Sequence, residues 1–223
     1  MTSLLEKKRA CVDRSNMQAV YAQKSPFYKV AKRALDVALS GVALAALSPV
    51  FLATAVAIVI EDGRPVIYAA PREGKGGKPF SMYKFRSMYR NSEEQLTDLL
   101  DENEQTGPAF KIKNDPRITR VGRFIRKYSI DELPQLVNII KGDMSIVGPR
   151  AIQKTQEFTP YEAQRELVQP GLTCYWQISG RADISWEEWV ELDLDYIQDM
   201  GFATDAKIIA KTFGVVFRGD GSY

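Results

Sequence analysis

The chain has 223 residues, 45% hydrophobic and 26% charged, with a formal charge of +2. That suits one domain, or one domain plus a membrane element, with a real core. It has no histidine, which excludes a His-based triad, HExxH zinc chemistry and any imidazole general base. Cys11 and Cys174 show no CxxC or metal-ligand spacing and read as reduced bystanders facing the cytosol. Chemistry therefore falls to carboxylates, Lys, Arg, Tyr, Ser or Cys, or to a metal held through oxygen.

Residues 1–36 read as a basic, partly helical lead-in, in which YKVAKRALD (28–36) predicts an interfacial helix running on into the next segment. Residues 37–60, VALSGVALAALSPVFLATAVAIVI, carry no charge. As a straight helix they would reach roughly 36 Å, against about 30 Å of hydrocarbon. Pro49, after Ser48, removes a backbone donor near the middle and predicts a bend. Two courses fit: a kinked spanning helix, or a re-entrant hairpin returning to the same face. Within 20 residues of either end, Lys24, Lys29, Lys32 and Arg33 balance Arg64, Arg72, Lys75 and Lys78. A spanning helix should show asymmetry, so both flanks read as cytosolic.

Segments 66–70 and 79–88 have strand composition and are separated by PREGKGGK, a glycine- and lysine-rich turn, which predicts a β-hairpin. Residues 91–104 are acidic and helix-prone, 131–141 are helical in pattern, and KGDMSIVGPR reads as a turn-rich loop. A short apolar stretch, LTCYWQI, follows Pro170-Gly171. Helix 186–200 lines up Trp186, Trp189, Leu192 and Tyr196 in one stripe, which suits a core face or, beside a bilayer, an interfacial one. A second amphipathic helix is expected over 205–217, with Lys207, Lys211 and Arg218 on its polar parts.

The densest chemical candidate is DPRITRVGRFIRKYSIDELPQL (115–136). Arg117, Arg120, Arg123, Arg126 and Lys127 precede Asp131 and Glu132. Cations neutralise phosphate oxygens, and a carboxylate can attack phosphorus or hold Mg²⁺. Standing alone, the segment also fits a solvated or lipid-facing basic face, with Ser129-x-x-Glu132 as a capping box.

KFRSM (84–88), NDPRITRVGRFIRKYSIDELPQLVNIIKGDMSIVGPR (114–150) and PGLTCYWQISGR (170–181) occur here in order. Together they resemble the bacterial sugar transferase family, the monotopic polyprenyl-phosphate phosphoglycosyltransferases of capsule, exopolysaccharide and O-antigen (lipopolysaccharide) assembly. The resemblance covers about residues 28–223. It implies a helix-rich α+β protein divided into a lead-in (1–36), a re-entrant helix–break–helix (37–60) bent at Ser48-Pro49, and a cytosolic catalytic domain (61–223) with amphipathic interfacial helices. It also implies that Asp131 attacks the sugar-linked phosphate of a UDP-sugar and releases UMP, and that polyprenyl (undecaprenyl) phosphate then takes the phosphosugar from the aspartate. Glu132 would bind Mg²⁺. Arg126, Lys84 and Arg86 match basic active-site positions. Arg117, Pro149 and Arg150 are expected on the substrate, and Gln177 and Arg181 either there or in a structural turn. The family often shows Pro-Arg-Pro where this chain has Pro149-Arg150-Ala151, which leaves that loop less constrained.

The implied partners are a UDP-sugar, galactose or glucose ahead of N-acetylated sugars, the lipid carrier and the cytoplasmic face of the inner membrane. Nucleic acid is not among them, and a homodimer is allowed. Met1 and the lead-in favour a complete short-form enzyme. The rival readings are a direct glycosyltransferase releasing UDP, a non-catalytic membrane-docked scaffold, and a spanning helix with an external domain. Labelling of Cys174 in intact cells is the expected test of the last.

Overall fold

The computed structural model describes residues 16–92, 115–153, 158–179 and 184–218. Cys11, Arg181 and nearly all of the acidic stretch 91–104 lie outside them. The described chain is a helix-rich α+β fold. In order come α1 (Met17–Ala22), α2 (Pro26–Ala46), α3 (Ser48–Asp62), β1 (Ile67–Glu73), β2 (Pro79–Phe85), α4 (Arg120–Lys127), α5 (Gln135–Lys141), β3 (Ser145–Val147), β4 (Gly171–Thr173), α6 (Tyr175–Ile178), α7 (Trp186–Asp199) and α8 (Phe202–Arg218). Short 3₁₀ segments occupy Lys75–Gly77, Ile130–Glu132 and Glu162–Leu167.

The expected break is present, one residue early. α2 and α3 meet at Leu47 with a bend of 61°. Pro49 has no N–H to give the Ala45 carbonyl one helical step back. The Ser48 hydroxyl donates to that carbonyl instead, at 2.8 Å. Among the described residues no single helix is long and apolar enough to cross a membrane, whereas α2 and α3 pass that test together as a bent pair. α2 runs unbroken through residues 36 and 37, where the sequence suggested a boundary.

α2 has two faces. Tyr28, Asp36 and Ser40 are buried against the protein, while Phe27, Val30, Leu39 and Val42 are exposed. Asp36 accepts from the Ser145 hydroxyl at 2.7 Å and the Ile146 amide at 3.2 Å. Asp205 of α8 receives Lys32 at 3.1 Å, and the hydroxyls of Tyr28 and Tyr196 at 3.0 and 2.9 Å. Arg33 caps the end of α5 through the Ile139 and Ile140 carbonyls. Three of the four cations counted before the uncharged run, Lys24, Lys32 and Arg33, are thus internal fasteners.

The hairpin β1–β2 is antiparallel, pairing Ile67 with Phe85 and Glu73 with Pro79. β1 continues through Pro71, Arg72 and Glu73, residues expected in the turn, because the turn needs only 74–78: Gly76 and Gly77 adopt the positive φ it requires. Ser145–Val147, expected as loop, forms a parallel pair with β4. The stripe Trp186, Trp189, Leu192 and Tyr196 is core: all four are buried, so the interfacial alternative does not hold for it. α8 begins at Phe202, three residues before its expected start.

Candidate active site

The site forms where the end of β2, the 130–132 turn, the strand exit after β3 and the short helix α6 converge. α4 ends at Lys127, Tyr128 follows as its cap, and Ser129 takes a left-handed conformation (φ 54°). For a residue with a Cβ this is strained by about 1–3 kcal/mol and is common at functional sites. Its effect is to turn the chain so that Asp131 and Glu132, both buried, enter the site. The capping-box alternative is not realised: Ser129 makes no side-chain capping bond, and Glu132 points to cations.

Glu132 is the hub. Its Oε1 accepts from Lys84 Nζ at 3.3 Å and from Arg150 Nη2 at 3.1 Å, and Gln177 Nε2 lies 3.5 Å from its Oε2. Arg150 Nη1 also donates to Gln177 Oε1 at 3.3 Å. Burial alone would raise the Glu132 carboxyl, but Lys84 and Arg150 hold it down at about 2. Asp131 receives no hydrogen bond from the described side chains. Burial dominates there and pushes its carboxyl up to about 6, against the pull of Lys84, Arg126 and Arg150 and with the push of Glu132. Two adjacent carboxylates therefore differ in kind. One is held by two cations, and the other receives no hydrogen bond among the described residues and is pushed up by burial.

Arg126 sits nearby, its Nε donating to Ser87 Oγ at 2.8 Å. It reaches there because α4 lies on the 86–88 segment: Thr119 N donates to Ser87 O at 3.1 Å, and a Cβ on Gly122 would fall 2.0 Å from that oxygen. Burial pulls the Arg126 guanidinium below its ordinary range, and Asp131 and Asp115 oppose that pull.

Three expected site residues are held by other partners. Arg86 is turned to the end of α3, donating to the Asp62 and Gly63 carbonyls at 3.0 and 2.7 Å and pairing with the Asp62 carboxylate at 3.2 Å. Arg117 makes a buried bidentate pair with Asp115, Nε at 2.9 Å and Nη2 at 2.6 Å. Pro149 contributes its carbonyl, which accepts from Gly171 N at 2.8 Å and holds the loop. Ala151, where the family often has proline, is buried with Ala70, Met82 and Leu136, so packing restrains the loop there.

Three residues that sequence reasoning missed position this set. Asn138, fully buried, accepts from Tyr83 N at 2.9 Å and donates to Ser81 O at 2.8 Å, fixing β2 and hence Lys84 against α5. Trp176 lies under the Arg150 guanidinium at 4.8 Å and stacks on Trp189. Arg165, in a buried pair with Asp193, donates to the Arg150 carbonyl at 2.8 Å. An asparagine inside an apolar helix and a tryptophan in a quoted motif were the available signals; Arg165 had none.

A family model for bacterial sugar transferases matches residues 27–219. The chain is 42% identical over 213 residues to the galactosyl transferase CpsE of Streptococcus agalactiae, covering 92% of this chain and 47% of that one. It is 44% identical over 199 residues to the undecaprenyl-phosphate galactose phosphotransferase of Salmonella typhimurium, covering 86% and 41%. It is 40% identical over 205 residues to the exopolysaccharide production protein ExoY of Sinorhizobium fredii, covering 89% and 90%. The chain thus spans less than half of the first two relatives and nine-tenths of the third. With the model matching most of its length, the chain belongs to the bacterial sugar transferase family.

Proposed function

We propose that the chain transfers a hexose 1-phosphate from a UDP-sugar to undecaprenyl phosphate through a phosphosugar-aspartate intermediate. The observation that carries this reading is the division between the two carboxylates, Glu132 held by Lys84 and Arg150 while Asp131 receives no hydrogen bond among the described residues. In the first step an Asp131 oxygen bonds to the sugar-bearing β-phosphorus and the bond to the α-phosphate oxygen breaks, so that UMP leaves. In the second, an oxygen of the lipid phosphate bonds to the same phosphorus and the carboxylate of Asp131 is released. Both nucleophiles are anions, so no histidine is needed. Arg126, Lys84 and Arg150 offset the charge of the diphosphate and of the departing UMP. The name of the Salmonella relative supports a lipid phosphate as acceptor and galactose as the first donor to try.

The donor set fits Mg²⁺. Two cations fill Glu132 Oε1, whereas among the described residues Oε2 faces an amide and keeps a lone pair. Mg²⁺ is commonly held by one or two carboxylates plus phosphates and water, so the lack of a three-acid cluster among the described residues is no obstacle. Glu132 would hold the ion, which when bound would neutralise diphosphate charge.

The same reading places the protein on the cytoplasmic face of the inner membrane. Residues 37–46 and 48–60 would form limbs of roughly 15 and 20 Å, each short of the ~30 Å core, joined by the 61° bend. Exposed Val42, Leu52, Val56 and Ile60 supply their apolar faces. Soluble UDP-sugar and lipid carrier meet at such a surface.

The test is the nucleotide product. Protein in nanodiscs with Mg²⁺ and undecaprenyl phosphate is expected to release UMP from UDP-galactose or another UDP-hexose, and Asp131→Asn to lose at least 10³-fold in rate. UDP release would instead indicate direct glycosyl transfer, and no release from any donor would indicate a scaffold.

A further inference from the structure

We infer that a cavity on the opposite end of the hairpin from the carboxylates is a second binding site, for a phosphate group. The cavity holds about 180 Å³ and is lined by Tyr21, Lys29, Lys32, Arg33, Lys75 and Asp36 among others. Four cations thus face one carboxylate. Lys32 is satisfied by Asp205 at 3.1 Å and Asp36 at 3.8 Å, and Arg33 is committed to the carbonyls ending α5. Lys29 and Lys75 are not neutralised. Their ammonium groups lie 4.2 and 5.3 Å from the centre of one ring, Tyr21, and Lys75 Nζ is 3.5 Å from the Tyr21 hydroxyl. Neither pairs with a carboxylate among the described residues; Glu166 of the neighbouring turn lies against Gly77. Two like charges drawn to one ring repel, and a phosphate would offer oxygens to both ammonium groups and the phenol.

The glycine-rich turn, which the proposed reaction leaves without a role, builds this arrangement. Gly76 and Gly77, at φ 67° and 70°, fold Lys75 back towards α1. The site is distinct from the carboxylates. Lys84 stands five residues beyond Pro79 on β2, about 17 Å at ~3.4 Å per residue, and the turn lies beyond Pro79.

The helix pattern also indicates the source of the phosphate. At about 100° per residue, Lys29, Lys32, Arg33 and Asp36 share one side of α2, and Phe27, Val30 and Val37 share the adjoining side. That second side is apolar and exposed, Phe27 at 75% and Val30 at 71%. A phosphodiester headgroup in the cavity would have its chains beside that stripe, so an anionic phospholipid fits both surfaces. The lipid source rests on the membrane-surface reading above, while the phosphate contact does not.

The experiment titrates full-length protein in neutral detergent micelles with inorganic phosphate and, separately, with short-chain dihexanoylphosphatidylglycerol, following heat of binding. Lys29→Gln/Lys75→Gln is expected to weaken binding at least tenfold, since the phosphate loses two charged donors. Lys78→Gln, in the same turn but outside the cavity lining, should bind as the parent does. Both lysines are at least partly exposed, so the double variant should unfold at the parent's temperature. If the parent binds both probes and the double variant loses both, the phosphate alone suffices. If only the lipid is bound and lost, the source is an amphiphile. Equal binding by parent and double variant, or no binding of either probe, would overturn the site. UMP release is measured on the same samples, so a failure of the transfer reading is seen separately.

Discussion

Asp131 is a nucleophile candidate kept at the expense of stability. Its carboxyl is raised from 3.8 to about 6, so folding favours its protonated form. Its favourable contribution is complete below pH 4 and is lost as pH rises through 6. Two units correspond to roughly 3 kcal/mol, and Asp131→Asn, which cannot ionise, should be more stable than the parent by on the order of 2–3 kcal/mol at pH 8. The difference should shrink towards zero near pH 4, as denaturant titration at the two pH values would read. Activity runs the other way: kcat/KM should fall tenfold per pH unit below about 6, because the attacking form is the carboxylate. A variant equally stable at both pH values would mean that burial does not govern this carboxyl. The carboxylate pair, Lys84, Arg150 and Gln177 were legible because they lie in contiguous motifs. Arg86 and Arg117 were legible as cations but not as partners of Asp62 and Asp115, and Asn138 was missed because its contacts with β2 lie 55 and 57 residues away.

At the scale of elements, the parallel pair β3–β4 matters most, because Arg150 continues from it and bridges to Gly171. The strands approach so closely that a Cβ on Gly171 would lie 2.1 Å from Gly148 N, and one on Gly148 2.4 Å from Gln169 O. Backbone stands on the far side of both contacts and cannot rotate away. Gly171→Ala should therefore destabilise by about 3 kcal/mol, the upper part of the usual range for overpacking, and should depress kcat further by moving Arg150 off Glu132. Gly201→Ala, whose new methyl would find its nearest neighbour at 3.8 Å, is the control and should change neither. Thermal unfolding and UMP release on the two variants would decide, and a Gly171→Ala protein with parental stability would contradict the close approach. The sequence could not announce this pair, since strands of three residues are too short to show alternation. The longer helices were readable from their periodicity, and α3 from Pro49 and the uncharged run.

At the scale of the molecule, both ends of the bent pair are tied to one body. Just before it, Lys24 caps the end of α7 through the Met200 carbonyl at 3.2 Å, and from the first turns of α2 Lys32 reaches α8 and Arg33 reaches α5. After it, Arg86 grips the last turn of α3, and Asn138 of α5 holds β2. A spanning course would put these contacts on opposite sides of a bilayer, which is why the proposed course is re-entrant. Equal charge on the two flanks pointed the same way, although Lys24, Lys32 and Arg33 turn out to be internal fasteners. Cys174 cannot report on the question as expected from sequence: it is buried and its thiol is pushed up to about 12, so an impermeant maleimide would miss it on either side. Exposed Ser25 and Lys78 flank the pair and can replace it. With Cys11 changed to serine, Ser25→Cys and Lys78→Cys should both resist the reagent in intact cells and both react once the inner membrane is opened. Reaction of one alone in intact cells would establish a spanning helix, and reaction of both would place the body outside, where UDP-sugars made in the cytosol could not reach Asp131.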